Sequence, residues 1–313
     1  MGKVACVFPG QGAQSVGMGK DLYEHLPDSR KMFAAIDATL GFDLTATMFE
    51  GPEDKLRLTY HTQPALLAVS AILFRAMADS GFRPDYVAGH SLGEYSALVA
   101  AGALRYEDGL RTVYERGRLM DRAVPAGQGA MAAVLGAERD ALQQLCERIS
   151  IESGLVELAN VNSPGQIVVS GSAAGVQAVV DSGKEAGAKR VIPLEVSGPF
   201  HCSLMKPAAD GLQQVLAGVD IQAPSVPLIA NVTAQSVEAA DDIRQLLVQQ
   251  VVAPVLWEDS VRQLLENGVD TFIEVGTGTV LAGLIKKIDR KVKIISVNSY
   301  EALQAFNEEG AYA

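Results

Sequence analysis

The sequence predicts an α/β protein: a mostly parallel sheet layered with helices, and a second, smaller β-α-β-β-α-β unit set into it. Three observations carry that reading. Short apolar runs ending at Gly or Pro alternate with longer stretches of helical spacing through the first hundred residues. Between residues 130 and 196 the rhythm becomes strand, helix, two adjacent strands, helix, strand, and after residue 199 the first rhythm returns. A chain of 313 residues buries about 75% of its unfolded surface and forms one or two domains.

Val4-Ala5-Cys6-Val7-Phe8 is a buried strand closed by Pro9-Gly10. Two helical segments follow over 18–39, stopped by Gly41. Leu66, Leu67, Val69, Leu73, Phe74 and Met77 repeat at helical spacing over 63–80, and Gly81 caps that helix. A strand over 86–90 leads into apolar helix 91–101, and a further helix runs over 106–120. In the middle, strands are predicted at 130–135, 156–161, 166–170 and 190–196, with helices at 138–150 and 173–186. That order is the ferredoxin-like arrangement. Gly127-Gln128-Gly129 and Gly198-Pro199 are its joints, so the large domain takes 1–126 and 199–313 and the inserted subdomain 127–198. Beyond it come a strand at 226–231, helices at 243–251 and 260–267, a strand at 271–275 ending in Gly276-Thr277-Gly278, a helix at 280–288 and a strand at 293–297. The polar tail from Glu301 is expected to fray.

The charge balance, 26 Lys and Arg against 37 Asp and Glu, gives a net charge of −11 and argues against nucleic-acid binding, which needs clustered basic residues. The densest basic cluster is Lys286, Lys287, Arg290, Lys291 and Lys293. No run approaches the roughly 18 apolar residues of a membrane span. The beginning of the sequence lacks a secretory pattern, and three scattered cysteines form neither a disulfide framework nor a metal knuckle. Only four histidines leave little material for a multi-histidine metal site, and the cysteine usage gives the expectation of a reducing, cytoplasmic setting.

The sharpest motif is Gly89-His90-Ser91-Leu92-Gly93, followed by Glu94. Glycines two before and two after a serine, between a strand and a helix, allow a cramped turn that exposes the hydroxyl near free helix N–H groups. Ser91 is therefore a candidate nucleophile; the alternative is a helix cap. Its base must be a histidine. His25 and His61 lie in polar segments, and His90 should point to the opposite face from Ser91. His201, in Gly198-Pro199-Phe200-His201-Cys202, sits in a loop fixed by Gly-Pro and is the candidate base, against a satisfied loop histidine. None of Asp210, Asp220, Asp241, Asp259 and Asp270 stands out as a third member, and a backbone carbonyl serves as well. Cys202 is a weaker nucleophile candidate. Gln11, between Gly10 and Gly12 at a strand's C-terminal end, offers an amide donor or is a turn residue. Arg116 joins the inner stripe of its helix with Val113 and Met120, so it needs an anion, either a protein carboxylate or a substrate's.

These pieces resemble the malonyl-CoA:acyl carrier protein transacylases of fatty-acid synthesis. The resemblance rests on Phe8-Pro9-Gly10-Gln11-Gly12, the serine turn with Glu94, Arg116, Asn160, Asn162-Ser163-Pro164, Gly198-Pro199-Phe200-His201, Gln250 with Pro254, and Glu274-Val275-Gly276. It covers nearly the whole chain and implies an α/β-hydrolase-like core with a ferredoxin-like insertion. It also implies malonyl transfer from malonyl-CoA to the phosphopantetheine thiol of acyl carrier protein through an ester on Ser91, with no cofactor and the chain acting as a monomer. His201 would be base and then acid, oriented by the backbone carbonyl of Gln250. The N–H groups of Gln11 and Leu92 would hold the oxyanion, Arg116 the malonyl carboxylate, and Phe200 would help select malonyl. Gly276-Thr277-Gly278 departs from the family's more usual glycine-proline-glycine. An acidic carrier would need a local positive patch, for which the 286–293 cluster is the candidate.

Overall fold

The structure is a computed structural model and describes residues 2–309. β1 (Lys3–Phe8) is the apolar run, buried over its last four residues. α1 (Lys20–His25) and α2 (Ser29–Leu40) follow, and Gly41 ends α2 in the left-handed region, with φ 76°. Two short helices, α3 (Leu44–Glu50) and α4 (Glu53–Leu56), have too few turns to show a period; an Asp43 side-chain cap on Ala46 N starts α3. α5 (Thr59–Asp79) begins four residues before the predicted helix and is buried almost throughout. β2 (Tyr86–Gly89), α6 (Gly93–Ala100) and α7 (Tyr106–Ala123) complete the first half of the large domain.

The middle unit comprises β3 (Gly129–Leu135), α8 (Arg139–Glu152), β4 (Val156–Ser163), β5 (Gln166–Ser172), α9 (Ala173–Ser182) and β6 (Arg190–Pro193). Its sheet runs β4-β5-β3-β6 with every pair antiparallel, which is the ferredoxin-like order. It has its own apolar core, with Val134, Leu142, Ile149, Val169 and Val179 among its buried members. β6 stops short of the predicted 196, and α9 tightens into a 3₁₀ turn at Gly183–Ala186.

α10 (Lys206–Ala217), a helix absent from the sequence expectation, follows the histidine loop with Pro207 in its first turn. β7 (Leu228–Ile229) is only two residues of the predicted 226–231 strand and turns back as β8 (Ser236–Val237). α11 (Ala240–Gln250), α12 (Trp257–Glu266), β9 (Val269–Val275), α13 (Val280–Ile288) and β10 (Lys293–Val297) lie close to expectation. The tail reading is corrected: α14 (Tyr300–Glu309) is a helix that buries Leu303 and Phe306, with the Phe306 ring 5.3 Å from that of Phe82. Polar residues dominate its sequence, but two apolar anchors three apart are enough to dock it. Residues 310–313 of that tail lie outside the described residues.

The large sheet runs β10-β9-β1-β2-β7-β8 and is parallel except for β8. Its strands alternate faces. Cys6, Phe8 and Ile273 pack with α5 and α6, while Ala5, Val7 and Phe272 pack with Trp257 of α12 and Ile285 of α13. Phe8 of β1 pairs with Gly89 of β2, so the loops after both strands emerge side by side at the C-terminal edge, where open α/β sheets gather their ligands. β4 reaches the large domain through Val161 N to Val255 O and Val255 N to Ala159 O, both 2.9 Å.

The turn after β2 is as tight as its glycines suggest. A Cβ on Gly89 would lie 1.9 Å from the Gly93 carbonyl, and one on Gly93 would lie 2.0 Å from Phe8 O. Gly93→Ala should therefore cost about 1–3 kcal/mol or more in overpacking and lower the melting temperature. Gly283→Ala, in α13 with nothing within 4 Å of the new methyl, should instead raise it, since alanine gains roughly 0.8–1.0 kcal/mol over glycine in a helix. Thermal melts of both variants check the contrast.

Candidate active site

Ser91 stands between β2 and α6 with φ 52°, a left-handed conformation that L side chains rarely take. Its Oγ lies 2.8 Å from His201 Nε2. His201, itself at φ 59°, is buried. Its Nδ1 lies 2.7 Å from the main-chain oxygen of Gln250. A carbonyl only accepts, so Nδ1 carries the proton and Nε2 presents its lone pair to the serine hydroxyl. Burial, and then the Arg116 charge, push His201 down to about 3, which keeps the imidazole neutral and able to accept a proton.

The acids considered as a third member are elsewhere. Asp210 pairs with Lys206, Asp259 with Arg139, Asp220 bonds Gln222 and Asp270 bonds Thr271. Asp241 is in the exposed first turn of α11. His90 turns away from Ser91 to Asn162 Oδ1 at 2.8 Å and packs on Trp257. His61 is buried, contrary to its polar sequence setting, with Nδ1 2.9 Å from Lys55 O. His25 is exposed and stacks on Tyr300. Cys202 gives its Sγ hydrogen to Pro199 O at 3.1 Å, and burial raises its thiol, so it is neither ionised nor aimed at His201.

Arg116 is 1% exposed. Its Nη1 donates to Gln63 Oε1 at 2.8 Å, and its Nη2 to Gln250 Oε1 at 2.9 Å and Ser91 Oγ at 3.1 Å. Its guanidinium also lies 5.5 Å from the Tyr95 ring centroid. Among the described residues no carboxylate forms an ion pair with it. Of the two anions its burial called for, the protein carboxylate is not there. A cation held by neutral oxygens and a ring, beside a nucleophile, is suited to a small anionic ligand.

A cleft of about 140 Å³ opens over these groups, walled in part by Gln11, Leu92, Phe200, Met120 and Met131. Among the described residues, neither the Gln11 nor the Leu92 amide N–H has a protein acceptor. Both are available to an oxyanion at the cleft.

Four side chains that hold this site carried no role in the sequence reading. Gln63 supports Arg116, and Asn162 fixes His90. Asn231 accepts from Ser91 N at 2.7 Å. Glu94 Oε2 accepts from Asn231 N at 3.0 Å and from Gln250 Nε2 at 2.8 Å. A signal existed for two of them: Glu94 follows the serine motif on an apolar helix, and Asn231 closes an apolar strand. Of the basic cluster, Lys286 Nζ donates to Val292 O and Lys287 Nζ to Gln166 Oε1.

Fold and site together define a two-part α/β protein with a serine–histidine pair on a strand-to-helix elbow and a buried arginine beside it. The model of the acyl transferase domain family matches residues 5–301. The malonyl CoA-acyl carrier protein transacylase of Bacillus subtilis is 51% identical over 99% of both chains. A crystal structure of an acyl carrier protein S-malonyltransferase from Vibrio cholerae superimposes with TM-score 0.94 at 44% identity, covering 97% of this chain and 99% of that one. The malonyl CoA-acyl carrier protein transacylase structure from Coxiella burnetii does so with TM-score 0.95 at 40% identity, covering 98% and 97%. The chain belongs to the acyl transferase family and, within it, to the malonyl-CoA:acyl carrier protein transacylases.

Burial raises the Glu94 carboxyl from 4.5 to about 7. The folded chain thus holds this proton more tightly than the unfolded one. The carboxyl's contribution to stability is whole below pH 4.5 and is lost as pH rises through about 7. Glu94→Gln keeps an oxygen for Asn231 N and Gln250 Nε2 and cannot ionise. The melting temperature of Glu94→Gln minus that of the wild type should therefore rise between pH 5 and pH 8. A constant difference across that range would show that Glu94 does not titrate there.

Proposed function

We infer that this chain transfers a malonyl group from coenzyme A to the phosphopantetheine thiol of acyl carrier protein, with Ser91 carrying the malonyl ester between two half-reactions. The observation that carries the residue assignment is one hydroxyl, Ser91 Oγ, within hydrogen-bond distance of both His201 Nε2 and Arg116 Nη2. In the first half-reaction His201 Nε2 takes the serine proton as Oγ attacks the thioester carbon. The oxyanion is held by the N–H groups of Gln11 and Leu92. Collapse breaks the C–S bond, and the imidazolium returns its proton to the coenzyme A thiolate. In the second, the carrier thiol gives its proton to His201 and attacks the ester, and Ser91 leaves with the proton restored. The Gln250 carbonyl holds the imidazole in one tautomer through both steps.

Arg116 binds the free malonyl carboxylate. Its positive charge is the second cause, after burial, of the lowered basicity of His201. Pairing it with the substrate carboxylate relieves part of that depression, so a malonyl thioester strengthens the base that attacks it. Phe200 fills the cleft wall beside the acyl group. Free thiols at Cys6, Cys146 and Cys202 favour a reducing, cytoplasmic setting. Among the described residues no helix is long and apolar enough to cross a membrane.

Intact-mass analysis after malonyl-CoA treatment should show one malonyl adduct, lost in Ser91→Ala and discharged by the carrier thiol. An adduct that persists in Ser91→Ala sinks the assignment. Arg116→Ala should lower malonyl kcat/KM by roughly 30-fold or more, since each 1.4 kcal/mol is tenfold, while acetyl transfer holds or improves. Parallel losses for both acyl groups with a lower melting temperature would make Arg116 a structural residue.

A further inference from the structure

The elbow that carries Ser91 is clasped by a residue outside every motif. Asn231 lies just past β7 and is fully buried. Its carboxamide bridges the turn: Oδ1 accepts from Ser91 N at 2.7 Å, and Nδ2 donates to Gly89 O at 2.6 Å. The carboxamide is itself held, because the Asn231 main-chain N–H donates to Glu94 Oε2 and Gln250 Nε2 donates to Oδ1 at 3.3 Å. Ser91 is in a left-handed conformation that costs about 1–3 kcal/mol, so the turn needs such a brace to persist. The two peptide units it grips flank the serine's approach, and the conformation of Ser91 in turn directs the next N–H, that of Leu92.

We propose that Asn231 is a positioning residue for the transfer reaction: by clasping Gly89 O and Ser91 N it holds the elbow so that Ser91 Oγ faces His201 and the Leu92 N–H faces the cleft. The proposal rests on the reading of Ser91 as the nucleophile and deepens it. Asn231 acts through the backbone and touches no reacting atom.

A neutral carboxylic acid is the one other proteinogenic group that can accept from Ser91 N and donate to Gly89 O from the same position. Asn231→Asp should therefore work when protonated and fail when ionised, since a carboxylate oxygen would then face the Gly89 carbonyl. The groups around it are Glu94 from α6, Arg116 from α7 reached through Gln250, and His90 and His201 beside the elbow. All are present in the wild type, so the profile is read as the ratio of variant to wild type.

The experiment is single-turnover acylation by malonyl-CoA, followed by intact mass from about pH 5.5 to 8.5 below the melting temperature of every variant. Asn231→Ala should be slower by roughly tenfold or more, as about 1.4 kcal/mol of lost positioning implies, with a flat ratio across pH. Asn231→Asp should approach the wild type at the acid end and fall toward the alanine variant at the alkaline end. A flat Asn231→Asp ratio at either level, or an Asn231→Ala rate within about threefold of the wild type, overturns the proposal. If the alanine variant does not fold, the aspartate profile decides alone. Ser91→Ala is run beside them: an adduct on it defeats the nucleophile reading, whereas a clean Ser91→Ala with a flat Asn231→Asp ratio defeats only the positioning role.

Discussion

Everything at the reactive end of this molecule depends on a backbone that turns too sharply for ordinary residues. Between β2 and α6 the chain comes close enough that Gly89 meets the Gly93 carbonyl and Gly93 meets Phe8 O. Only the absence of two side chains permits that approach. The result is that Ser91 is thrust out at φ 52° above the C-terminal edge of the parallel sheet. The neighbouring loop from β1 sits against it, since a Cβ on Gly10 would lie 2.5 Å from His90 O. Close packing of two strand ends thus sets both where the hydroxyl points and which free amides surround it.

The second constraint is electrostatic. Gln250 contacts four of the site's members at once: its main-chain oxygen holds His201, its Oε1 holds Arg116 and its Nε2 donates to Ser91 O and Glu94. One residue at the end of α11 therefore fixes the tautomer of the histidine and the direction of the guanidinium. Around Arg116 the first contacts are neutral oxygens rather than a carboxylate. A directly paired arginine would be a structural device, with little left to offer a ligand. Glu94, one link away through Gln250, offsets the buried positive charge without occupying it.

The smaller unit contributes more than a wall. β4 pairs through Ala159 and Val161 with Val255, five residues beyond Gln250, and the same strand supplies Asn162 to His90. The ferredoxin-like sheet is thereby tied on one side to the segment after the histidine's anchor and on the other to the residue before the serine. Pro199 packs where a side chain on Gly129 would fall, so the chain re-enters the large domain pressed against the start of β3 and delivers His201 directly from that junction.

By itself the sequence determined the layered α/β class, the inserted β-α-β-β-α-β unit, the serine turn and the histidine loop. Each of these is written in local pattern: short apolar runs, helical stripes, and Gly or Pro at fixed offsets. The same locality explains the errors. Helices α3 and α4 are too short for a period, β7 is two residues of a longer apolar run, and α14 docks a polar segment through Leu303 and Phe306 alone. What only the tertiary structure decided is which distant polar groups share one buried space. Gln63, Asn231 and the side chain of Gln250 come from α5, the end of β7 and α11, and their contacts with Arg116 and the serine elbow follow from no local pattern. The neutral partners of Arg116 belong to that class too. A hydrogen bond is set by position and direction in space, and those are fixed only when the helices close on the sheet.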